Sequence, residues 1–547
     1  MNNKLLCVLV FSLLVASMET RAQLNINNAI FTVEAGAVVT VQGNLSSNAD
    51  IGGGGRILMK GTTLQTMNMN GFSIPNLEID NNANVSLTGE AKVGTSLLFT
   101  HGKIQTGNYN LTLSSVATTS GQGAVNTSNY VETNGTGQLR KTLTANVTNF
   151  ELPVGGSSFY EPVFITTNGT YGASAYAAAQ AKGAAHPNKH PRSTDYLNCY
   201  WPVSQSGITG TLRATGKYTT HFVGVEADMR GVVYAGGDWN LANGNINTTA
   251  DTAGSLIPLT GGDLYAMNRF VLLKDKVFLQ GAYNTTTGLM NDNLRTLATF
   301  PTTDPYRSAP YNAYFTHTTN TVPETIASPA TVLGVQPSTN NNIVDWVFIE
   351  LRNNVTPGNA IIQTRSALLQ RDGDIVDIDG VSPVYFKNVD ASNYTITVRH
   401  RNHLGLSTNP SAFTVDLNEK NSTPGIDMTT ASGTQLLGVA NTNYAVTSGK
   451  NLLYAGNVSG NGIVRYQGTN GPGATNVSDR IALLTDLGNN EINTLDTYQR
   501  GDVSMNGITR YQGTNGPGAN NVSDRIFILG TVLGNNEIQT KAQVLPN

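Results

Sequence analysis

Val38-Val39-Thr40-Val41, Ile57-Leu58-Met59, Leu77-Glu78-Ile79, Val85-Ser86-Leu87, Leu97-Leu98-Phe99 and Leu111-Thr112-Leu113 are short apolar dashes separated by Gly and Asn. Each alternates inward and outward residues, and Gly or Asn follows where the chain must turn. No dash can bury its apolar face alone, so one coil needs the next. This texture predicts a mainly β protein that opens with a parallel β-helix-like solenoid over residues 23–159, with Asn and Thr rows stacked from coil to coil. A twisted β-sandwich is the alternative for the same strands.

Beyond Tyr130 the texture changes through Gly137-Gln138-Leu139-Arg140-Lys141 and Phe150-Glu151-Leu152-Pro153-Val154-Gly155, a stretch that closes the solenoid. Residues 160–276 read as a β-sandwich with Tyr200-Trp201-Pro202-Val203 and a strand from Thr211 to Tyr218. Within it the Ala-rich patch from Ala173 to Ala185, beside Gly172, Gly183, Pro187 and Pro191, reads as a surface loop. Residues 277–450 read as an Ig-like β-sandwich with extended loops. Its strand Ile343 to Leu351 is partly apolar on both faces, as in the interior of a sandwich. Residues 451–547 are expected to be a small α-helical, duplicated module.

At the other end, Lys4, the apolar run Leu5 to Ala16 and the small residues of Thr20-Arg21-Ala22 read as a cleaved secretory signal over residues 1–22. The run breaks at Met18-Glu19, short of a membrane span, so no transmembrane segment is expected after cleavage. The chain is then secreted or held at the cell surface. One cysteine is left, Cys199, and no intramolecular disulfide can form. With Lys+Arg 33 against Asp+Glu 36 and 13% charged residues, the chain lacks the basic footprint that nucleic acid requires.

The C-terminal duplication is the strongest internal signal. Arg465 to Ile481 reads RYQGTNGPGATNVSDRI and Arg510 to Ile526 reads RYQGTNGPGANNVSDRI, an offset of 45 residues. Upstream, Asn457-Val458-Ser459-Gly460-Asn461-Gly462-Ile463 faces Asp502-Val503-Ser504-Met505-Asn506-Gly507-Ile508. Oxygen-bearing side chains at the first, third and fifth positions, then Gly, then an apolar residue with a free carbonyl, form the front half of a calcium loop. In the second copy Asp502, Ser504, Asn506 and the backbone of Ile508 supply that half. Asp524, at the start of a helix expected over Val522 to Val532, closes it if the insert Gly513 to Asn520 loops out. In the first copy Asn457, Ser459, Asn461, Ile463 and Asp479 take the same places. Because Asn457 stands where Asp502 does, Ca2+ is expected at the second copy before the first. The alternative is a structural loop of Asx turns with Gly462 and Gly507 at positive φ.

These units resemble dockerin modules, over about Gly456 to Val544 and most specifically at Asp502-Val503-Ser504-Met505-Asn506-Gly507. The chain departs from that pattern through the eight-residue insert and the missing acids. The resemblance implies docking to a cohesin-like receptor. More widely, the mature chain resembles the secreted surface proteins of Bacteroidetes-type bacteria labelled haemagglutinin or adhesin. The segments that carry this are Gly281-Ala282-Tyr283 with Gly288-Leu289-Met290, Val344 to Arg352, Val398 to Gly405 and the Arg-Tyr repeat. That resemblance implies display outside the cell and contact with a glycan or a surface or matrix protein.

Enzymatic motifs are missing from the sequence: no HExxH frame, Cys/His zinc set, G-x-S-x-G elbow, Walker loop or dinucleotide fingerprint occurs. A non-enzymatic adhesin-type protein is the expectation. The alternative is a carbohydrate-active or carbohydrate-binding protein, such as a polysaccharide lyase or hydrolase whose acids converge only in three dimensions. Arg399, His400, Arg401 and His403, at a strand end, are candidate ligand contacts; equally, they can satisfy acids such as Glu350 or Asp377. Asp372-Gly373-Asp374-Ile375-Val376-Asp377-Ile378-Asp379-Gly380 reads as a short strand between turns, with calcium or acid/base work as the other reading. Trp201 and Trp346 are expected in the core, whereas Trp239 and the run Tyr306, Tyr311, Tyr314 and Phe315 are candidates for sugar stacking.

Overall fold

The apolar dashes stack in register. Ile57 pairs with Leu77 and Leu77 with Leu97, while Met59, Ile79 and Phe99 form the next rung, all in parallel strands. A second wall runs Val85, Ile104, Val131 and Val154. All ten side chains are fully buried, and each contributes about 1.5–3 kcal/mol by leaving water. These pairings belong to a computed structural model that describes residues 23–119, 128–219, 221–241, 244–316, 322–354, 359–420, 425–468, 477–513 and 523–546. The expected signal segment, most of the insert of each repeat and His317 lie outside the described residues.

The protein is mainly β with few helices, and the solenoid spans residues 24–155. Its Asn residues act at the corners. Asn44 Oδ1 accepts the Thr66 N–H at 2.8 Å, Asn84 Oδ1 that of Lys103 at 2.9 Å, and Asn110 Oδ1 that of Gln138 at 3.0 Å. Each bond ties one coil to the next, but nets only about 1 kcal/mol. The apolar ladder therefore carries the stability and the Asn rows fix the turns.

The parallel stack ends where Leu139–Thr142 meets Tyr176 to Ala179 in the antiparallel sense. Those alanines belong to a strand running Val163–Ala179, paired along its length with Trp201–Lys217. The Ala-rich patch read as a loop is thus largely strand. Its small side chains make it look unstructured in sequence, yet Ala177, Ala178 and Ala179 are fully buried, so contact with neighbours decides its conformation. Gly216 lies so close to the Trp201 ring that a Cβ there would come within 2.5 Å of it. Glycine at this point lets the indole lie across its own strand, with Nε1 donating to the Glu161 carbonyl at 2.9 Å.

The described residues divide into two compact units, one up to Met267 and one from Asn268 onward. In the second unit a seven-stranded antiparallel sheet has Ile343–Asn353 near its middle, flanked by Ile361–Gln370 and Ser392–Arg399. Trp346 and Phe348 are fully buried there. Tyr306, Tyr311 and Phe315 pack around Phe348, with ring centroids 4.7, 5.9 and 5.4 Å away. These rings, candidates for sugar stacking in the sequence, are interior. Val458, Leu483, Val503 and Ile528 of the two repeat copies belong to the same apolar cluster as Trp346 and Phe348.

Candidate functional site

The two copies fold alike. The Gly462 N–H donates to Asn457 Oδ1 at 3.1 Å, and the Gly507 N–H donates to Asp502 Oδ2 at 2.8 Å. Both glycines hold positive φ, 81° and 88°, a conformation that side-chain-bearing residues avoid. Ile463 and Ile508 each donate to the Asn two residues earlier, Asn461 and Asn506, at 2.9 Å. These are the Asx turns that the alternative reading, a structural loop, expects.

The far carboxylate returns in each copy. Asp479 Oδ1 accepts from Ser459 N and Ser459 Oγ, both at 3.0 Å, and Oδ2 from Arg465 N at 2.7 Å. Asp524 accepts from Ser504 N at 3.1 Å and Arg510 N at 2.9 Å. Asp479 and Asp524 open the helical segments Asp479–Asp486 and Asp524–Ile526, where the helix dipole favours a carboxylate. The second helix continues as a π-helix, Phe527–Val532. The reason is one extra residue. Leu487-Gly488-Asn489-Asn490-Glu491-Ile492 recurs as Leu533 to Ile538, displaced by one position more than the loops are, and the wider turn absorbs it.

The copies also exchange strands. Val464 pairs with Lys541 and Arg465 with Thr540; in the equivalent pairing Thr509 meets Leu495 and Arg510 meets Thr494. The front strand of each copy therefore pairs with the back strand of the other, and the module has an internal two-fold arrangement. The repeated LGNNEI hexapeptide was the sequence signal for it, hidden by the change of offset.

Charge separates the two loops. Burial pushes the Asp479 carboxyl up to about 7, against its hydrogen bonds from Ser459 and Arg465. Burial likewise lifts Asp502 to about 6, opposed by Arg401. Asp524 is raised well above the usual range, first by burial and then by the Asp502 charge. The second loop thus holds two interacting carboxyls among neutral oxygens, whereas the first holds one. No group of three or more His, Cys, Asp or Glu among the described residues is arranged to hold a metal ion. An ion in the second loop would rest on two carboxylates with Ser504, Asn506 and a backbone oxygen. That oxygen-only set fits a hard cation.

Arg399, His400, Arg401 and His403 are brought together, but in the interior. Arg399 Nε donates to Glu350 at 2.6 Å, whereas Asp377 is engaged by Arg365 at 3.3 Å. His400 Nε2 and Arg401 Nε both reach Asp345 Oδ2 at 3.0 Å, and the Tyr498 hydroxyl donates to Oδ1 at 2.7 Å. Burial raises Asp345, but Arg401, His400 and Tyr498 outweigh it and bring the carboxyl down to about 2. The cluster forms a buried ion-pair network. Its placement beside the repeat was not readable from spacing, because Tyr498 lies between the two copies.

Asp374–Val376 is a short strand between Gly373 and Gly380, both at positive φ, as the turn reading of the acidic run expects. No protein-family model matches the chain, and neither a curated protein nor a solved structure matches it.

Proposed function

We propose that the chain is an exported, non-enzymatic, adhesin-type protein. Its solenoid and sandwich-like β units display contacts for a glycan or a surface or matrix protein. Its C-terminal dockerin-like pair of loop-helix units is a calcium-dependent lock with a face for a cohesin-like receptor. The observation that carries the calcium part is the burial of Asp502 and Asp524 in one loop, two carboxyls whose charges oppose each other. Asp502, Ser504, Asn506, the Ile508 carbonyl and Asp524 would hold the ion, and its positive charge would offset both carboxylates. In the first copy Asn457, Ser459, Asn461, Ile463 and Asp479 make a weaker set, because Asp479 is its sole carboxylate.

Calorimetry of the mature chain during a calcium titration tests this. The melting temperature should rise, and Asp502→Asn with Asp524→Asn should abolish the gain. A flat wild-type titration leaves the loops as metal-free turns. Glycan arrays and immobilised matrix proteins test the display part. Release of reducing ends or unsaturated products from a polysaccharide panel would replace it with the carbohydrate-active alternative.

A further inference from the structure

A cleft of about 370 Å3 lies on the second unit, where Ala309 and Pro310 meet the first repeat copy. That volume falls in the range of roughly 300–1,000 Å3 that small-molecule sites occupy. Ala309, Pro310, Val477 and Ala482 form an apolar wall, and Ser459, Thr485, Asp486 and Arg500 a polar one. Two of the polar groups are already engaged. The Ser459 hydroxyl donates to Asp479 at 3.0 Å, and the Thr485 hydroxyl donates to the Ile481 carbonyl at 2.9 Å. The Arg500 guanidinium has no carboxylate within 4.0 Å among the described residues, although its charge reaches Asp486 and the Tyr311 hydroxyl.

The repeat fold does not require this arrangement. At the offset of 45 residues Ala482 corresponds to Phe527, a buried ring, and Arg500 corresponds to the buried Ala455. The second helix also carries no acid after Asp524. The small side chain and both charges of the cleft are therefore absent from the equivalent place around the second loop. Keeping Asp486 is costly, since burial raises its carboxyl against the opposing charges of Arg500 and Arg401. Its Oδ2 is sealed from solvent, so direct contact with a ligand falls to Arg500. The charge balance then selects the ligand. A carboxylate would be opposed by Asp486 and an ammonium by Arg500, whereas a neutral hydroxyl accepts from the guanidinium without either penalty. A ring with a C–H face and a hydroxyl edge matches an apolar wall beside a polar one.

We propose that this cleft holds one neutral hexopyranose unit of a glycan, with a hydroxyl accepting from Arg500 and the C–H face on Pro310, Val477 and Ala482. It rests on the glycan contact proposed above. Saturation-transfer NMR of the mature chain with the methyl glycosides of galactose, glucose, mannose and fucose should show saturable binding of at least one. Arg500→Gln should weaken that glycoside by about tenfold or more, the loss of one hydrogen bond to a charged group. Thr485 is exposed, so Thr485→Trp should fold normally, as its melting curve checks, and fill the cleft. Methyl glucuronide and methyl galacturonide should bind more weakly than the neutral glycosides, and Asp486→Asn should narrow that difference. Binding undiminished in both Arg500→Gln and Thr485→Trp would overturn the cleft and leave the glycan contact to another site. No binding of any of the four glycosides would also overturn it, and the glycan arrays then decide the glycan contact separately. Uronides bound as tightly as neutral glycosides by the wild type would overturn the choice of a neutral ligand.

Discussion

The side-chain amide of Asn402 donates to the main-chain carbonyl of Asp502 at 2.8 Å, and the same nitrogen donates to the Arg500 carbonyl at 2.9 Å. The Asn402 carbonyl meanwhile accepts the N–H groups of Gly456 and Asn457, both at 2.9 Å. One residue of the strand-end cluster thus anchors the start of both repeat loops. Asn402→Asp replaces the donor by a carboxylate facing two carbonyl oxygens, so the loss should exceed the roughly 1–3 kcal/mol of an unmade buried bond. Asn402→Ala should lie within that range. Chemical denaturation of the two variants checks the order; an aspartate variant as stable as the alanine one would refute the anchoring role.

Arg401 is the main counter-charge of Asp345, and its guanidinium also stacks 4.4 Å from the centre of the Tyr498 ring. Removing one member of a buried ion pair strands the other. Arg401→Met keeps much of the side-chain volume and should cost about 3–5 kcal/mol. Arg401→Met combined with Asp345→Asn should recover a substantial part of that cost, since the charge of Asp345 is then no longer stranded; the part not recovered reflects Asp502, which Arg401 also faces. A double-mutant cycle that shows simple additivity would mean the pair is not coupled.

His403 is held neutral by its neighbours. The Gly281 N–H donates to its Nε2 at 3.1 Å, which leaves the ring proton on Nδ1, 2.8 Å from Asn402 Oδ1. Protonating Nε2 would set two donors against each other. Burial, then the His400 and Arg401 charges, depress the His403 pKa well below its usual value, and burial depresses His400 as well. Such groups stabilise the fold fully above the unfolded value of about 6.5, and the contribution falls as pH drops below it. At pH 7.5 His403→Gln should be less stable by about 1–3 kcal/mol. Below about pH 6.5 that deficit should shrink by up to about 1.4 kcal/mol per pH unit, because the wild type loses its histidine contribution there. Melting curves from pH 7.5 to 5.5 read the difference; a constant gap would mean that His403 titrates alike in both states.

The solenoid was legible because its rule is local. Val85-Ser86-Leu87 and its fellows show period-two burial, and Asn at the corners turns the chain. The strand Val163–Ala179 was not legible, since alanine carries little strand preference and its partners come from distant segments. The Asx turns at Asn461 and Asn506 followed from spacing alone. The inward direction of His400 and Arg401 depended instead on Asp345 and Tyr498, which the fold brings in from far along the chain. The π-turn was missed for a third reason: the single extra residue before Leu533 broke the fixed offset that had exposed the duplication.

Asn457 and Asp502 occupy equivalent places, each accepting the N–H of the loop glycine, Gly462 at 3.1 Å and Gly507 at 2.8 Å. Asn457→Asp should therefore fit without moving the backbone, since oxygen replaces an isosteric amide nitrogen. Without calcium the new carboxylate would be buried in the same loop as Asp479, whose carboxyl already sits at about 7. The variant should then lose about 1–3 kcal/mol near neutral pH, and should regain stability as pH falls and the pair takes up a proton. With calcium the first loop would hold two carboxylates, as the second does, and the thermal gain should exceed that of the wild type. Calorimetry of Asn457→Asp with calcium and with chelator separates the two effects. Unchanged stability in chelator would contradict the burial of this position, and an unchanged calcium gain would contradict the equivalence of the loops.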